Sequence, residues 1–149
     1  MSRQVPDQDQ RLMSALAHAS VLLFGMGIVA GIVIWITQKE KSSYTAFQAL
    51  QAIVYQIVGF TVYLVGICCW LGLYFLSMIP LFVAEQQGSS DPPLAFLAAL
   101  LLLLVPFAFM GLWTLGGFWA AGRCLQGQDF RYLVIGDQLE RWWASSEDA

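Results

Sequence analysis

The chain carries little charge, and that charge is confined to the ends and two short loops. Its 149 residues include seven Lys or Arg and ten Asp or Glu. None of these falls in three long stretches, which are Leu12–Gln38, Ser42–Ala84 and Pro92–Gly122. Each stretch exceeds the roughly 20 residues that a helix needs to cross a bilayer. Because one charge at the centre of a span costs about 2.5 to 3.5 kcal/mol, this absence favours lipid over a soluble core.

The scarcity of basic residues, histidine and cysteine excludes several classes of function. A net charge of −3 leaves no patch of Lys and Arg of the kind that binds nucleic acid. The single histidine, His18, has no acid or nucleophile near it in sequence, and we expect it to be structural. Cys68, Cys69 and Cys124 lack metal-ligand and redox spacing, and we expect Cys68 and Cys69 to be small apolar residues. No cofactor and no metal site are predicted.

Acidic residues are missing from the uncharged stretches, which removes the usual signature of proton-coupled pumps and transporters. The sequence also shows no intramembrane metal cluster and no nucleophile–base pair. We therefore predict that the protein is not an enzyme. The first eleven residues lack the positive region and the small-residue cleavage site of a secretory signal, so we expect them to be retained.

The hydrophobic pattern predicts an all-α fold, an integral membrane helical bundle that forms one domain over residues 1–149. The second uncharged stretch would make a helix of about 64 Å at 1.5 Å per residue. Because it has no turn signal between Tyr55 and Ile79, we interpret it as one crossing preceded by an amphipathic lead-in segment. Two crossings, which would give four spans in total, remain the alternative. The predicted spans are about 20–37, 57–79 and 94–121. The predicted interfacial or amphipathic segments are about 7–19, 43–56 and 137–143.

Three spans place the two ends of the chain on opposite sides of the membrane. The 38–43 loop then shares a side with the basic residues near the C-terminus. By the positive-inside rule, this loop and the C-terminus are predicted to be cytoplasmic. The basic residues on that side are Lys39, Lys41, Arg123, Arg131 and Arg141, and those on the other are Arg3 and Arg11.

Small residues recur at helical spacing in the first and third predicted spans. Gly27 and Gly31 form a GxxxG pattern, and Gly116 and Gly117 offer a second small-residue surface. Such glycines let two helix backbones approach closely, either within one chain or between chains. GxxxG also arises by chance in membrane helices that tolerate glycine. These four glycines are candidates for helix packing or partner binding.

A polar stripe lies at the start of the second uncharged stretch. Tyr44, Gln48, Gln51 and Tyr55 share one helix face, and Gln56 extends it. In one interpretation, this Gln/Tyr stripe lies among lipid headgroups. In the other, its hydrogen bonds, worth about 0.6 to 2 kcal/mol each, hold another helix or a partner protein. Both interpretations remain open from the sequence.

Four short motifs follow one another in a fixed order: Met13–Ser20, Trp35 with Lys39, Ala49–Gln56 and Gln126–Tyr132. They resemble the "AxLAHxS", "W-x-x-x-K", "A-x-QA-x-x-x-Q" and "x-G-x-x-[FY]-x-YP" motifs of a small bacterial membrane family of unknown function, numbered four-eight-seven-zero. That family is similar to the TIC twenty-kilodalton component of the chloroplast inner-envelope protein-import machinery. The resemblance covers roughly residues 11 to 136, and Leu133 stands where the family usually has proline.

The resemblance implies a three-span protein of the bacterial cytoplasmic (inner) membrane and, through the chloroplast relative, a link to protein translocation. A shared fold is a weak warrant for a shared function. We therefore expect a non-enzymatic accessory, assembly or interaction subunit of a membrane complex. The alternative is a component of a protein-translocation or channel-like assembly, although a pore needs polar groups through the full bilayer and the stripe ends near Gln56. Expected partners are the lipid bilayer and other membrane proteins or further copies of the chain, and no nucleic acid.

Overall fold

Every regular element in the described part of the chain is helical, which confirms the all-α prediction there. The computed structural model describes residues 6–86, 94–133 and 135–147. A 3₁₀ turn at Ser20–Leu23 joins the first two helices. The helices are α1 (Gln8–Ala19), α2 (Gly25–Gln38), α3 (Ser43–Gln86), α4 (Leu94–Leu102), α5 (Leu104–Leu125) and α6 (Ile135–Glu147).

The chain divides into two compact units. The first comprises Met1–Phe60 with Thr114–Ala149, and the second comprises Thr61–Trp113. The long helices α3 and α5 each contribute to both units. In the second unit the ring centroid of Tyr74 lies 5.3 Å from that of Trp70 and 6.2 Å from that of Phe96. The glycines and polar residues singled out from the sequence as packing or binding candidates all lie in the first unit.

Two described helical segments are long and apolar enough to cross a membrane. They are Ser43–Pro80 and Phe96–Leu125, with mean hydropathies of 2.1 and 2.4. Only 6% of each apolar window is buried inside the protein, whereas the core helix of a soluble protein is mostly buried. The third apolar helix, α2, has 14 residues and is about 21 Å long, short of a hydrocarbon core of about 30 Å. The predicted count of three spans is therefore not confirmed.

α1 begins close to its predicted start because Asp7 and Gln10 form a capping box. The Asp7 Oδ1 atom accepts a hydrogen bond from the Gln10 N–H at 2.8 Å, and the Gln10 Oε1 atom accepts one from the Asp7 N–H at 3.2 Å. Such a cap is worth about 1 kcal/mol. The face of α1 that packs into the first unit carries small and polar side chains. These are Ser14, Ala15, Ala17 and His18.

The first uncharged stretch turns back on itself instead of forming one continuous helix. Phe24 adopts a positive φ of 50°, which reverses the chain between α1 and α2. Ser20 stabilises the reversal, because its hydroxyl lies within hydrogen-bond distance of two carbonyl oxygens, 2.7 Å from that of Ala17 and 3.1 Å from that of Gly27. The segment predicted as the first span, 20–37, thus contains a turn followed by a short helix.

α2 packs against α3, and the two helices are antiparallel. A Cβ atom added at Gly27 would overlap the Ser20 carbonyl oxygen and Gln56 Oε1. One turn further along α2, a Cβ atom at Gly31 would lie 2.8 Å from Ile53 Cγ1. Residue numbers therefore rise along α2 as they fall along α3. The GxxxG pattern serves this close contact within the chain.

α1 runs in the opposite direction to both α5 and α2. A Cβ atom added at Gly117 would lie 3.2 Å from the His18 carbonyl oxygen, and one at Gly127 would lie 2.9 Å from Arg11 Cζ. The start of α1 therefore lies at the C-terminal end of α5. Gln10 near the start of α1 also lines one open cavity with Gln38 at the end of α2. α1 and α2 thus form an antiparallel helical hairpin, called here the α1–α2 hairpin.

The lead-in and the crossing predicted for residues 43–56 and 57–79 form one continuous helix, α3. Gly66 and Gly72 lie within it without ending it, and Pro80 lies inside it near its C-terminal end. The region predicted as the third span, 94–121, is divided between α4 and α5. Pro106 lacks the N–H that would bond the Leu102 carbonyl, which accounts for the end of α4 there. The predicted C-terminal helix, 137–143, is longer and forms α6.

We expect Gly27→Ala to lower the thermal unfolding temperature of the detergent-purified protein. The new methyl group overlaps backbone and a buried amide, and such overpacking costs about 1 to 3 kcal/mol. Gly25→Ala in the same helix is the matched control, because a Cβ there meets nothing within 4 Å. Circular dichroism melts of the two variants measure the difference. Equal unfolding temperatures for both variants would contradict the packing role of Gly27.

Candidate functional site: a buried polar network

The interior of the first unit is built from polar and small side chains. Large apolar side chains point outward instead, as Leu22, Phe24 and Met26 do. This is the reverse of a soluble protein, in which large apolar side chains fill the core. The largest fully buried side chains are His18, Gln48, Gln51, Thr45, Cys124 and Ser14.

His18 lies at the centre of these groups and is only 1% exposed. Its Nε2 atom lies 3.1 Å from Gln48 Oε1, and its Nδ1 atom lies 3.1 Å from the Tyr132 hydroxyl. An amide oxygen can only accept, so Nε2 carries the proton and donates to Gln48. Nδ1 then accepts from the Tyr132 hydroxyl. These bonds are complete with a neutral imidazole ring.

Two glutamines of α3 hold the segment that follows α5. The Gln48 amide donates to Asp129 Oδ1 at 3.1 Å and to the Phe130 carbonyl at 3.0 Å, which fixes its orientation. The Gln51 amide donates to the same Phe130 carbonyl at 3.2 Å and accepts from the Tyr132 backbone N–H at 3.3 Å. The two side chains thus replace the backbone partners that this irregular segment lacks.

A glycine at the end of α5 directs this segment into place. Gly127 has a φ of 74°, a conformation that residues with a Cβ atom rarely adopt. The Gly127 N–H bonds the Cys124 carbonyl at 2.9 Å, and the Gln128 N–H bonds the Arg123 carbonyl at 3.1 Å. This is a Schellman motif, which satisfies the last carbonyls of the helix. The chain then leaves α5 and crosses the start of α3.

The two tyrosines of the Gln/Tyr stripe contact the same segment. The Tyr55 and Tyr132 rings stack with centroids 4.1 Å apart and planes 7° from parallel. The Tyr44 hydroxyl donates to the Gln128 carbonyl at 3.1 Å. We call the hydrogen-bonded and stacked side chains around His18 the polar network. Its members are His18, Gln48, Gln51, Tyr44, Tyr55, Asp129 and Tyr132.

Gln56, the last residue of the stripe, contacts α1 rather than the C-terminal segment. Its amide donates to the Ser20 hydroxyl at 3.0 Å and to the Ala17 carbonyl at 3.3 Å. Its Oε1 atom lies against Gly27. The stripe therefore makes its hydrogen bonds to other parts of the same chain. A role of these residues in binding a partner stays a prediction.

The four candidate glycines all lie against other helices or turns of the first unit. Gly27 and Gly31 face α3, as described above. Gly116 lies against the Tyr55 hydroxyl, and a Cβ atom at Gly117 would come 2.7 Å from Val21 Cγ1. Their closeness to neighbours explains the small residues at these positions. Binding of a second chain through them stays a prediction.

His18 was expected only to be structural, and neither Asp129 and Tyr132 of the polar network nor Phe130 and Ser20, which bond to the stripe, were singled out as site residues from the sequence. Asp129, Phe130 and Tyr132 follow the α5 cap, and Ser20 lies at the hairpin turn. The signal that could have found the first three is the glycine at the end of α5, since such a cap often directs the next residues back onto the helix.

The cysteines differ from one another in their surroundings. Cys124 is buried, and its thiol donates to Gln48 Oε1 at 3.5 Å. Cys68 and Cys69 are exposed. Cys124 therefore belongs with the polar network, whereas the other two lie on the apolar part of α3.

The charges beside the network lie at the protein surface. The Arg131 guanidinium contacts Asp129 Oδ2 at 3.0 Å and also pairs with Glu140 of α6. Exposed pairs of this kind contribute only about 0 to 1 kcal/mol. Among the described residues, no group of three or more His, Cys, Asp or Glu side chains is placed to hold a metal ion.

The two candidate spans, the outward apolar side chains and the internal polar groups fit the class of small helical membrane proteins. Residues 9–139 match the MamF/MmsF family, described as the magnetosome magnetite crystal formation protein family. The chain belongs to this bacterial membrane-associated family. No curated protein and no solved structure matches the chain. Membership of a bacterial membrane-associated family is thus confirmed, whereas the numbered family and the similarity to the chloroplast import component find no support.

We expect the stability of the first unit to fall on mild acidification. Burial lowers the pKa of His18, which lies in α1 outside both candidate spans, from the usual 6.5 to about 4, partly opposed by the Gln48 hydrogen bond. Below pH 6.5 the imidazole of His18 is therefore protonated in the unfolded chain, whereas in the folded chain it stays neutral until the pH approaches 4. Stability is complete above pH 6.5 and declines by about 3 kcal/mol as the pH falls towards 4.

Histidine-selective ¹⁵N labelling measures this directly, since the chain has one histidine. The ring is expected to show the Nε2–H tautomer and no titration between pH 8 and 5.5. In His18→Gln, whose amide stays neutral, unfolding temperatures should vary less across this range. A ring that titrates near pH 6.5 would show that His18 is not enclosed.

We expect Gln51→Leu to destabilise the C-terminal segment without preventing membrane insertion. The change leaves the Tyr132 N–H without its partner, and an unmade buried hydrogen bond costs about 1 to 3 kcal/mol. Gln8→Leu is the control, because Gln8 is exposed in the first turn of α1. Amide hydrogen exchange at Tyr132 should accelerate in the first variant alone. Unchanged exchange in Gln51→Leu would rule out this role.

Proposed function

We propose that this chain is a non-enzymatic integral membrane protein that serves magnetite crystal formation as an accessory or assembly subunit of a membrane complex. One observation carries the proposal: the His18 ring and the amide groups of Gln48, Gln51 and Gln56, all buried, hydrogen-bond within the chain. His18, Gln48 and Gln51 bond to one another or to the segment after α5. The chain accordingly offers surfaces to lipid and to other proteins rather than a reaction site.

The outer surface supports the proposed lipid partner. Along α3, side chains such as Val65, Leu73 and Phe75 are 51% to 66% exposed. Exposed apolar surface on this scale is unfavourable in water, at roughly 25 cal/mol per Å². A bilayer removes that penalty. Other membrane proteins, or further copies of the chain, are proposed to share this surface, and nucleic acid is not among the proposed partners.

The described contacts are consistent with a cytoplasmic C-terminus and 38–43 loop in a bacterial inner membrane. The Tyr44 hydroxyl at the start of α3 bonds the Gln128 carbonyl beyond the end of α5. The loop before α3 and the segment after α5 therefore lie at one end of the first unit. Basic residues cluster at this end, and the positive-inside rule assigns such an end to the cytoplasm.

The alternative function, a part of a translocation or channel-like assembly, gains no observation in its favour from the described residues. A pore of this kind would be lined by free polar side chains. Gln48, Gln51 and Gln56 are at most 5% exposed. Their amides bond to the chain itself.

Deletion of the gene in a magnetite-forming host tests the proposed process. We expect fewer, smaller or misshapen crystals in electron micrographs, with recovery when the wild-type gene is returned. Gly27→Ala is expected to restore crystals poorly and Gly25→Ala to restore them fully, at equal protein levels in membranes. Normal crystal number, size and shape in the deletion strain would refute a role in crystal formation.

Purification of the tagged wild-type chain in mild detergent tests the accessory role. We expect a stoichiometric membrane protein partner, or a homo-oligomer, by mass spectrometry and light scattering. A monomer without partners, from cells that are forming crystals, would count against a subunit of an assembly. Turnover of a substrate by the purified chain would refute the non-enzymatic proposal.

A further inference from the structure

We propose that the α1–α2 hairpin is re-entrant: it enters one leaflet of the bilayer and leaves on the side from which it entered. Its lipid partner is the acyl-chain region of the leaflet on the side of the basic residues. The inference goes beyond the proposed function and rests only on the membrane location within it. It replaces a first transmembrane span with a segment that never crosses.

The first argument is the length of the two legs of the hairpin, which are the segment from Leu12 to Phe24 and the helix α2. From Leu12 to Phe24 the chain advances about 20 Å if every residue rises by 1.5 Å. The 14 residues of α2 rise about 21 Å. A hydrocarbon core is about 30 Å thick. Each leg is therefore long enough to pass the middle of the bilayer and too short to span it.

The two ends of the hairpin lie together, which is the second argument. Asp7 and Gln10 at the start of α1 line the same open cavity, of about 450 Å³, as Lys41 and Ser42 beyond the end of α2. A span that crossed the bilayer would separate these residues by its full thickness. The shared cavity instead places both ends at one polar surface.

The side chains at the turn of the hairpin suit contact with lipid, which is the third argument. Leu22, Leu23, Phe24 and Met26 are 54% to 66% exposed around the reversal. None of them carries a polar group that would need water. The exposed surface of the turn is therefore apolar, as the acyl-chain region requires.

The backbone of the reversal is also compatible with a site away from water. The Phe24 N–H bonds the Val21 carbonyl at 3.2 Å, and the Gly27 N–H bonds the Phe24 carbonyl at 2.8 Å. Ser20 and Val21 are buried within the first unit, and the Ser20 hydroxyl lies 3.1 Å from the Gly27 carbonyl oxygen. These bonds give internal partners to polar backbone groups of the reversal, which irregular backbone at membrane depth requires.

The distribution of charge is the fourth argument. With a re-entrant hairpin, Arg11 lies on the same side as Lys39 and Lys41, and it already lies against Gly127 beyond α5. Every basic residue of the described part of the chain is then on one side. Between Lys41 and Arg123 the sequence carries no charge except the acidic residues Glu85 and Asp91. This asymmetry satisfies the positive-inside rule better than a first span does.

Single-cysteine labelling with an impermeant maleimide tests the proposal in the full-length protein. The native cysteines are replaced first, and Asp9→Cys, Lys41→Cys, Gln138→Cys and Gln86→Cys are made one at a time. We expect the first three to react only in inverted vesicles and Gln86→Cys only in intact spheroplasts. Reaction of Asp9→Cys and Lys41→Cys from opposite sides would overturn the proposal, because the segment between them would then cross the membrane.

The depth of the turn separates a re-entrant hairpin from one that lies on the surface. A nitroxide attached to Leu23→Cys should be relaxed strongly by oxygen and weakly by a water-soluble nickel chelate. The same label at Gln8→Cys, near the polar end of α1, should show the reverse. A nickel response at Leu23→Cys equal to that at Gln8→Cys would overturn insertion into the leaflet.

Carbonate extraction of each variant tests membrane integration separately, so a failure of the proposed membrane location is distinguishable from a failure of the hairpin. If replacement of the native cysteines prevents insertion, the wild-type background serves. Cys68 and Cys69 lie inside the candidate span Ser43–Pro80, and Cys124 is buried. Labelling of the unmodified chain then gives the baseline.

Discussion

Hydrogen bonds must be made inside the protein wherever water is absent, and Gln48 is the residue on which this requirement concentrates. Its amide joins three parts of the chain: His18 of α1, the Phe130 carbonyl beyond α5 and the Cys124 thiol. Without it, the His18 Nε2–H would lose its acceptor in a region of low dielectric, and the Phe130 carbonyl would keep only the Gln51 amide. The packing of the first unit is arranged around these bonds, which explains why its interior is polar.

Close backbone approach is the complement of this polar interior. In lipid, apolar surface between helices gives little driving force, so association depends on tight packing and on hydrogen bonds between helices. Gly27 and Gly31 bring α2 against α3, and Gly117 brings α5 against the end of α1. The short distances in turn let Gln56 reach the carbonyl of Ala17. Glycine and glutamine positions therefore act together.

Much of this arrangement could be predicted from the sequence, because charge and spacing are local signals. The alignment of Gln48 and Gln51 on one face follows from helical periodicity. Their partners could not be predicted, since Phe130 and Tyr132 lie about 80 residues away and contact depends on how α5 ends. The chain reversal at Phe24 could not be predicted from the sequence either, because hydropathy does not distinguish a continuous apolar helix from two short helices joined by a turn.

The α1–α2 hairpin has a consequence for the surrounding lipid. A segment that enters and leaves on one side displaces acyl chains from that leaflet and leaves the opposite leaflet untouched by its two legs. The added area in one leaflet strains a flat bilayer. Curvature that puts the occupied leaflet on the convex side relieves that strain. A chain with such a hairpin would accumulate where a membrane is already rounded, so vesicle diameter would influence where it resides.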